Sequence, residues 1–189
     1  MIFKNRKSDL KMKQNKYLYI ILVCIQSCFS QEGYHSLTTA EYANVKFKGV
    51  SFEAIKATDG DVQAMKNLFP LSTNTSHPDS FTIDEFGSEI GEPQRIFNFN
   101  SGLIISFDLG GPSEPIEIDR LEASEITVLG HHLEIGDSID VLGDDIEFNM
   151  NRDGSKSILF IKNDGACCPI VIDFDSNHKI TSIVYLIYT

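Results

Sequence analysis

The stretch "RIFNFNSGLIISFDL", Arg95 to Leu109, is where the chain stops reading as helix and starts reading as sheet. Ile96 and Asn98 alternate against Phe97 and Phe99, Asn100-Ser101-Gly102 offers a turn, and alternation resumes at Leu103, Ile105 and Phe107. Period-two apolar residues on both sides of a glycine-containing turn predict a β-hairpin with one buried face. Upstream, "GVSFEAIKATDGDVQAMKNLFP" (49–70) has the helical period, with Val62, Met65, Leu68 and Phe69 on one face. Thr58 or Asp59 is the expected cap, Asp61 suits the positive end of the helix dipole, and Pro70 ends the helix. The segment 71–80, "LSTNTSHPDS", is a loop by composition.

Downstream, strand-like alternation continues through Ile116, Ile118, Ile126 and Val128. A short helical stretch follows in "LEIGDSIDVLGDD" (133–145), capped by Asp137 or Ser138, with Ile139 and Leu142 three residues apart. Then "IEFNMN" (146–151) and "SILFIKN" (157–163) flank an Asp-Gly turn, and "CCPIVIDFD" (167–175) and "KITSIVYLIYT" (179–189) complete a second set of strands. The last segment has no charge after Lys179 and belongs inside a sheet, because such a strand at an edge invites aggregation. The expected fold class is α+β: tandem units, each a short helical stretch plus an antiparallel β-meander, forming a curved sheet with short helices packed on one face.

Two short motifs carry a resemblance. "IGDSIDVLG" (Ile135 to Gly143) places Gly-Asp at the head of a short helix, and "IVIDFDSNHKITSI" (Ile170 to Ile183) joins an apolar strand ending in Phe-Asp to Lys-Ile-x-x-Ile across a tight turn. Together they resemble the repeat of β-lactamase-inhibitor-protein-like domains and of small outer-membrane-assembly lipoproteins with the SmpA/OmlA fold. "GLIISFDL", Gly102 to Leu109, is the matching strand of the first half. The resemblance implies a two-repeat protein-binding scaffold without a catalytic centre. The helix ends depart from the family's Leu-x-Gly-x-Pro, offering "LFP" and "LGDD" instead, and no inhibitor contact residue carries over.

The N-terminus carries an address. "MKQNKYLYIILVC" (12–24) has Lys13 and Lys16 before a nine-residue uncharged run, Tyr17 to Ile25, too short for the ~20 residues of a membrane-spanning helix. That layout is a secretory signal peptide over residues 1–30, with Met12 as an alternative start. Cleavage before Gln31 uses small Ser30 and Cys28 at −1 and −3 and gives a soluble protein. Cleavage before Cys28 gives a lipidated, membrane-anchored one. The expected location is periplasmic or secreted, with contact to membrane only through the leader or a lipid on Cys28. Residues 31–44 read as a polar tether, and 45–189 as one domain of two degenerate repeats, 45–125 and 126–189.

The leader holds six of the sixteen basic side chains and one of the twenty-seven acidic ones, leaving ten against twenty-six and a net charge near −16. Such a surface repels nucleic acid and anionic lipid and suits a basic protein partner or divalent cations. Past the leader only Cys167 and Cys168 remain. Adjacent Cα atoms ~3.8 Å apart lie below the usual disulfide span, so two independent thiols are expected, with a strained vicinal disulfide acting as a redox switch as the alternative.

No catalytic constellation emerges, and no cofactor is expected. Asn149, Asn151, Asp153 and Gly154 echo the start of a calcium loop, but Phe160 stands where a bidentate Glu is needed. Asp173, Asp175 and Asn177 make a second echo in which His178 replaces the glycine. Both fall at hairpin turns, where these residue types serve the backbone. In "HHLE", His132 and Glu134 share a face and His131 points away, which gives two ligands where zinc usually takes three or four. The functional expectation is an exported, non-enzymatic protein-binding module of the bacterial envelope or exterior. The alternatives are a secreted inhibitor or immunity-type protein acting on a basic enzyme and, further off, a hydrolase with an unrecognised site.

Overall fold

The hairpin at the centre of the chain forms as its alternation requires. A computed structural model describes residues 34–69, 81–87, 93–111, 113–151, 153–163 and 168–187. The leader with its processing residues Ser30, Gln31 and Cys28, and likewise Pro70 and Cys167, lie outside the described residues. The helices are α1 (Thr39–Ala43), α2 (Phe52–Lys56), α3 (Val62–Leu68) and a 3-10 turn, η1 (Ile139–Leu142). The first strands are β1 (Tyr34–Leu37), β2 (Lys46–Phe47), β3 (Val50–Ser51), β4 (Phe81–Phe86), β5 (Gln94–Phe99) and β6 (Ile104–Asp108). They continue as β7 (Glu117–Glu122), β8 (Glu125–Val128), β9 (His131–Glu134), β10 (Asn149–Met150), β11 (Lys156–Lys162), β12 (Ile170–Phe174) and β13 (Ile180–Leu186). The fold is mixed α and β, mostly strands in one large sheet with a few short helices. Among the described residues no helix is long and apolar enough to cross a membrane.

The large sheet runs β1-β11-β12-β13-β7-β6-β5-β4, with β10 also on β11. All its pairs are antiparallel except β1 with β11. The apolar last strand, β13, lies between β12 and β7. Its buried residues are Ile180, Ile183 and Tyr185, an odd spacing that follows from a bulge opposite Asp173 and Phe174. One extra residue resets which side faces inward.

Helices cover the inward side. Phe52 of α2 packs on Tyr185 of β13 with ring centroids 4.7 Å apart, and Phe69 after α3 packs on Phe99 of β5 at 4.8 Å. Each such aromatic pair adds about 0.5–1.5 kcal/mol beyond the area it buries. A second sheet, β3-β2-β8-β9, contributes Phe47, Ile126, Val128 and Leu133 to the same core. Its two hairpins, β2–β3 and β8–β9, turn on two residues each, Lys48-Gly49 and Leu129-Gly130, all with positive φ. That is the type I′ geometry whose twist matches paired strands.

Four expectations need correction. Residues 34–43 are not a tether. Tyr34–Leu37 pairs in parallel with β11, Leu37 is fully buried, and Thr38 and Glu41 close a capping box on α1. The helical stretch of 49–70 is two helices rather than one, because Asp59 and Gly60 at positive φ break it. The cap of α3 is Asp61, whose Oδ1 accepts from the Ala64 amide at 2.7 Å, rather than Thr58 or Asp59. Thr58 instead turns its hydroxyl back to the Ile55 carbonyl. Of "IEFNMN" only Asn149–Met150 pairs as strand, and β4, at 81–86, extends the sheet beyond the hairpin that the sequence marked.

Candidate functional site

The two acidic turns are held by hydrogen bonds from neighbouring amides and side chains. In the β10–β11 turn the Ser155 amide and hydroxyl both donate to Asp153 Oδ1, at 3.0 and 2.6 Å, and these bonds hold the Asp153 carboxyl below its ordinary range. Asn151 donates to Ser155 Oγ at 2.9 Å and to Ser157 Oγ at 2.7 Å, and the Ser157 hydroxyl donates to Asp173 Oδ1 at 2.6 Å. The structure thus brings Asn151, Asp153 and Asp173 into one hydrogen-bonded line, running through the buried Ser157. Asn149 sits opposite Ser157 in the β10–β11 register.

Asp175 and Asn177 stand apart from that line, in the β12–β13 turn. The Lys179 and Asn177 amides donate to Asp175 Oδ1 at 2.9 and 2.8 Å, and the first of these bonds does most to lower its pKa. His178 takes the left-handed conformation, φ 60°, at the place where a glycine would be at ease. Its Nδ1 lies 2.6 Å from Asp140 Oδ1, and that contact holds the Asp140 carboxyl low. This ties η1 to the β12–β13 turn.

A different group assembles on the β8–β9 hairpin. His132 Nε2 lies 3.1 Å from Glu134 Oε1, as residues two apart on a strand allow. The two-residue turn at Leu129-Gly130 fixes the register so that Glu125 lies opposite Glu134. One ligand atom from each of Glu125, His132 and Glu134 then falls within 4.8 Å of the other two. The spacing of "HHLE" offers two donors, and the neighbouring strand adds the third. The signal in the sequence is the Leu-Gly turn: once Val128 is set against His131, Glu125 must face Glu134. Lys48, from the β2–β3 turn, reaches Glu125 Oε2 at 3.4 Å.

A cavity of about 570 Å³ opens where α1, α2, β7 and β13 meet, lined by Tyr42, Tyr185, Glu53, Lys56, Lys162 and Cys168 among others. Tyr42 and Tyr185 are each only 5 % exposed. Burial pushes the Tyr185 hydroxyl up to about 12 and Tyr42 higher still, each helped by neighbouring negative charge. Cys168 is disulfide-bonded, so it is not an independent thiol. No protein family matches the chain, and neither a curated protein nor a solved structure is significantly similar to it.

Proposed function

We propose that this chain is an exported, non-enzymatic binding module that holds another protein on the outward side of its large sheet. One observation supports the reading most. Cross-strand pairing lines up Tyr34, Leu159, Val171 and Val184, followed by Glu122 and Ile104, in a single row across β1, β11, β12, β13, β7 and β6. These residues point away from the core, and each keeps part of its surface exposed. Four adjacent apolar side chains beside a charged pair, Glu122 and Arg120 at 2.6 Å, have the make-up of an interface: an apolar centre and a polar rim.

The two-repeat organisation belongs to the same proposal. The order β11-β12-β13-β7-β6-β5 reads the same from either end, one three-strand meander meeting another at their last strands. Two units, 45–125 and 126–189, related by an approximate two-fold axis are a simple source of that order. Export rests on the basic start and short apolar run of residues 12–25.

Capture from envelope and culture fractions by the native chain and by the double substitution Val171→Lys, Val184→Lys tests the reading. The native chain recovers a stoichiometric protein, and the double variant, still folded by circular dichroism, loses it. Equal recovery by both, or no stoichiometric protein at physiological salt, overturns the assignment of this face. The acidic surface favours one narrower version, an inhibitor of a basic enzyme. There the association rate falls steeply as salt rises.

A further inference from the structure

We propose that Glu125, His132 and Glu134 form a binding site for one first-row divalent cation, with Zn²⁺ as its representative ligand. Strand register brings the three donors together. Residues two apart on β9 share a face, and Glu125 is the direct cross-strand neighbour of Glu134, so three donors project from one side of a two-stranded ribbon. The turn that sets this register is tight: both of its residues have positive φ and no residue is spare, so a one-residue slip cannot occur without remaking it. The scaffold is therefore fixed before any metal arrives, and only side-chain torsions need adjust.

Distances are suitable. Zinc bonds of ~2.0–2.1 Å to imidazole nitrogen and carboxylate oxygen place tetrahedral ligands about 3.3–3.4 Å from one another. His132 Nε2 and Glu134 Oε1 already stand 3.1 Å apart, and the whole triad fits within 4.8 Å, so a modest contraction completes the tripod. One imidazole and two carboxylates carry two negative charges, which neutralise the cation. The mixed nitrogen and oxygen donors favour zinc, cobalt or manganese over calcium, which prefers oxygen alone.

Lys48 is the obvious objection, since its ammonium already faces Glu125 Oε2 at 3.4 Å. A carboxylate has two oxygens, and an outer partner on one of them while the other binds metal is a common arrangement. Three protein donors leave at least one position for water or for a donor from outside. Binding uses His132 Nε2 as a lone-pair donor, so its 3.1 Å contact with Glu134 Oε1 gives way to a bond from each of them to the metal. His131 provides the internal control, because it lies on the opposite face of the same strand.

The test uses tag-free protein, titrated with Zn²⁺ by calorimetry and with Co²⁺ by visible absorption. The site predicts one equivalent of zinc, cobalt bands typical of four or five ligands, and a melting temperature that rises with zinc. His132→Ala, Glu134→Gln and Glu125→Gln each weaken binding by more than about tenfold, and His131→Ala leaves it unchanged. Two results overturn the proposal: no binding at millimolar zinc, or binding that survives His132→Ala and falls with His131→Ala. All four side chains are wholly or partly exposed, so each variant should fold, and the melting temperature without metal verifies this.

Discussion

Gly60 shows how one residue can hold two layers together. It sits at φ 64° between α2 and α3, and a Cβ there would lie 3.0 Å from the Phe107 ring carbon of β6. Its carbonyl accepts from Arg95 Nη1 at 2.7 Å, so the backbone cannot easily move aside. Gly60→Ala combines a disfavoured left-handed conformation with overpacking against a buried ring, at a cost of about 1–3 kcal/mol. Urea denaturation measures it, and a midpoint equal to the native one would show that α2 and α3 are not seated on the sheet as described. Two tyrosines set a second expectation at this scale. Tyr42 and Tyr185 ionise with more difficulty folded than unfolded, where the ordinary value is 10.0. The unfolded chain therefore gains charge first as pH rises. The stability these residues confer is complete below pH ~10 and is lost as the pH climbs through the raised folded values. Denaturation midpoints should fall between pH 10 and 12, and the double substitution Tyr42→Phe, Tyr185→Phe should flatten that decline. An unchanged slope in the double variant would place both hydroxyls in contact with water.

Elements divide into those that declare themselves locally and those that depend on distant partners. Helix α3 is of the first kind. Met65 turns inward and Asp61 caps the first turn. Asp61→Ala removes the acceptor for the Ala64 amide and should lower stability by about 0.5–2 kcal/mol. Asp61→Asn should recover most of it, and matching losses in both would assign the effect to charge instead of capping. The hairpin β5–β6 was legible for the same local reason: Phe97, Phe99, Leu103, Ile105 and Phe107 alternate, and all five are buried. Of the second sheet only β8 was legible, through the alternation of Ile126 and Val128. Its strands are two to four residues long, and its turns use Lys48 and Leu129 where Asn or Gly would announce φ > 0. β1 was hidden because its partner, β11, lies more than a hundred residues away and four residues carry too short a pattern. The Glu125, His132 and Glu134 group was illegible in consequence. Two of its members are visible in "HHLE", and the third appears only when the Leu129-Gly130 turn is recognised.

At the scale of the whole molecule, the large sheet depends on the seam between β13 and β7. Its register is Val184 with Glu122, Tyr185 with Leu121, and Leu186 with Arg120, so short a ladder that backbone bonding alone holds the two meanders weakly. The inward residues of that seam do more. Tyr185 and Leu121 are neighbours, both buried, and the Tyr185 ring meets Phe52, which in turn meets Phe47 of the second sheet at 5.5 Å. Removing the ring therefore strips contacts from α2 and β7 together. Tyr185→Ala should cost about 3–5 kcal/mol, the usual loss for a large aromatic side chain cut from a core. Tyr185→Phe keeps the ring and should cost far less. The form of the transition matters as much as its midpoint. If the meanders share one core through this contact, Tyr185→Ala unfolds in a single earlier step, with fluorescence and circular dichroism coincident. If each half has a core able to stand alone, the same substitution separates them, and two transitions appear where the native chain shows one. The continuous burial from Phe107 through Leu121 and Tyr185 to Ile172 favours the single step, because no exposed polar layer interrupts it.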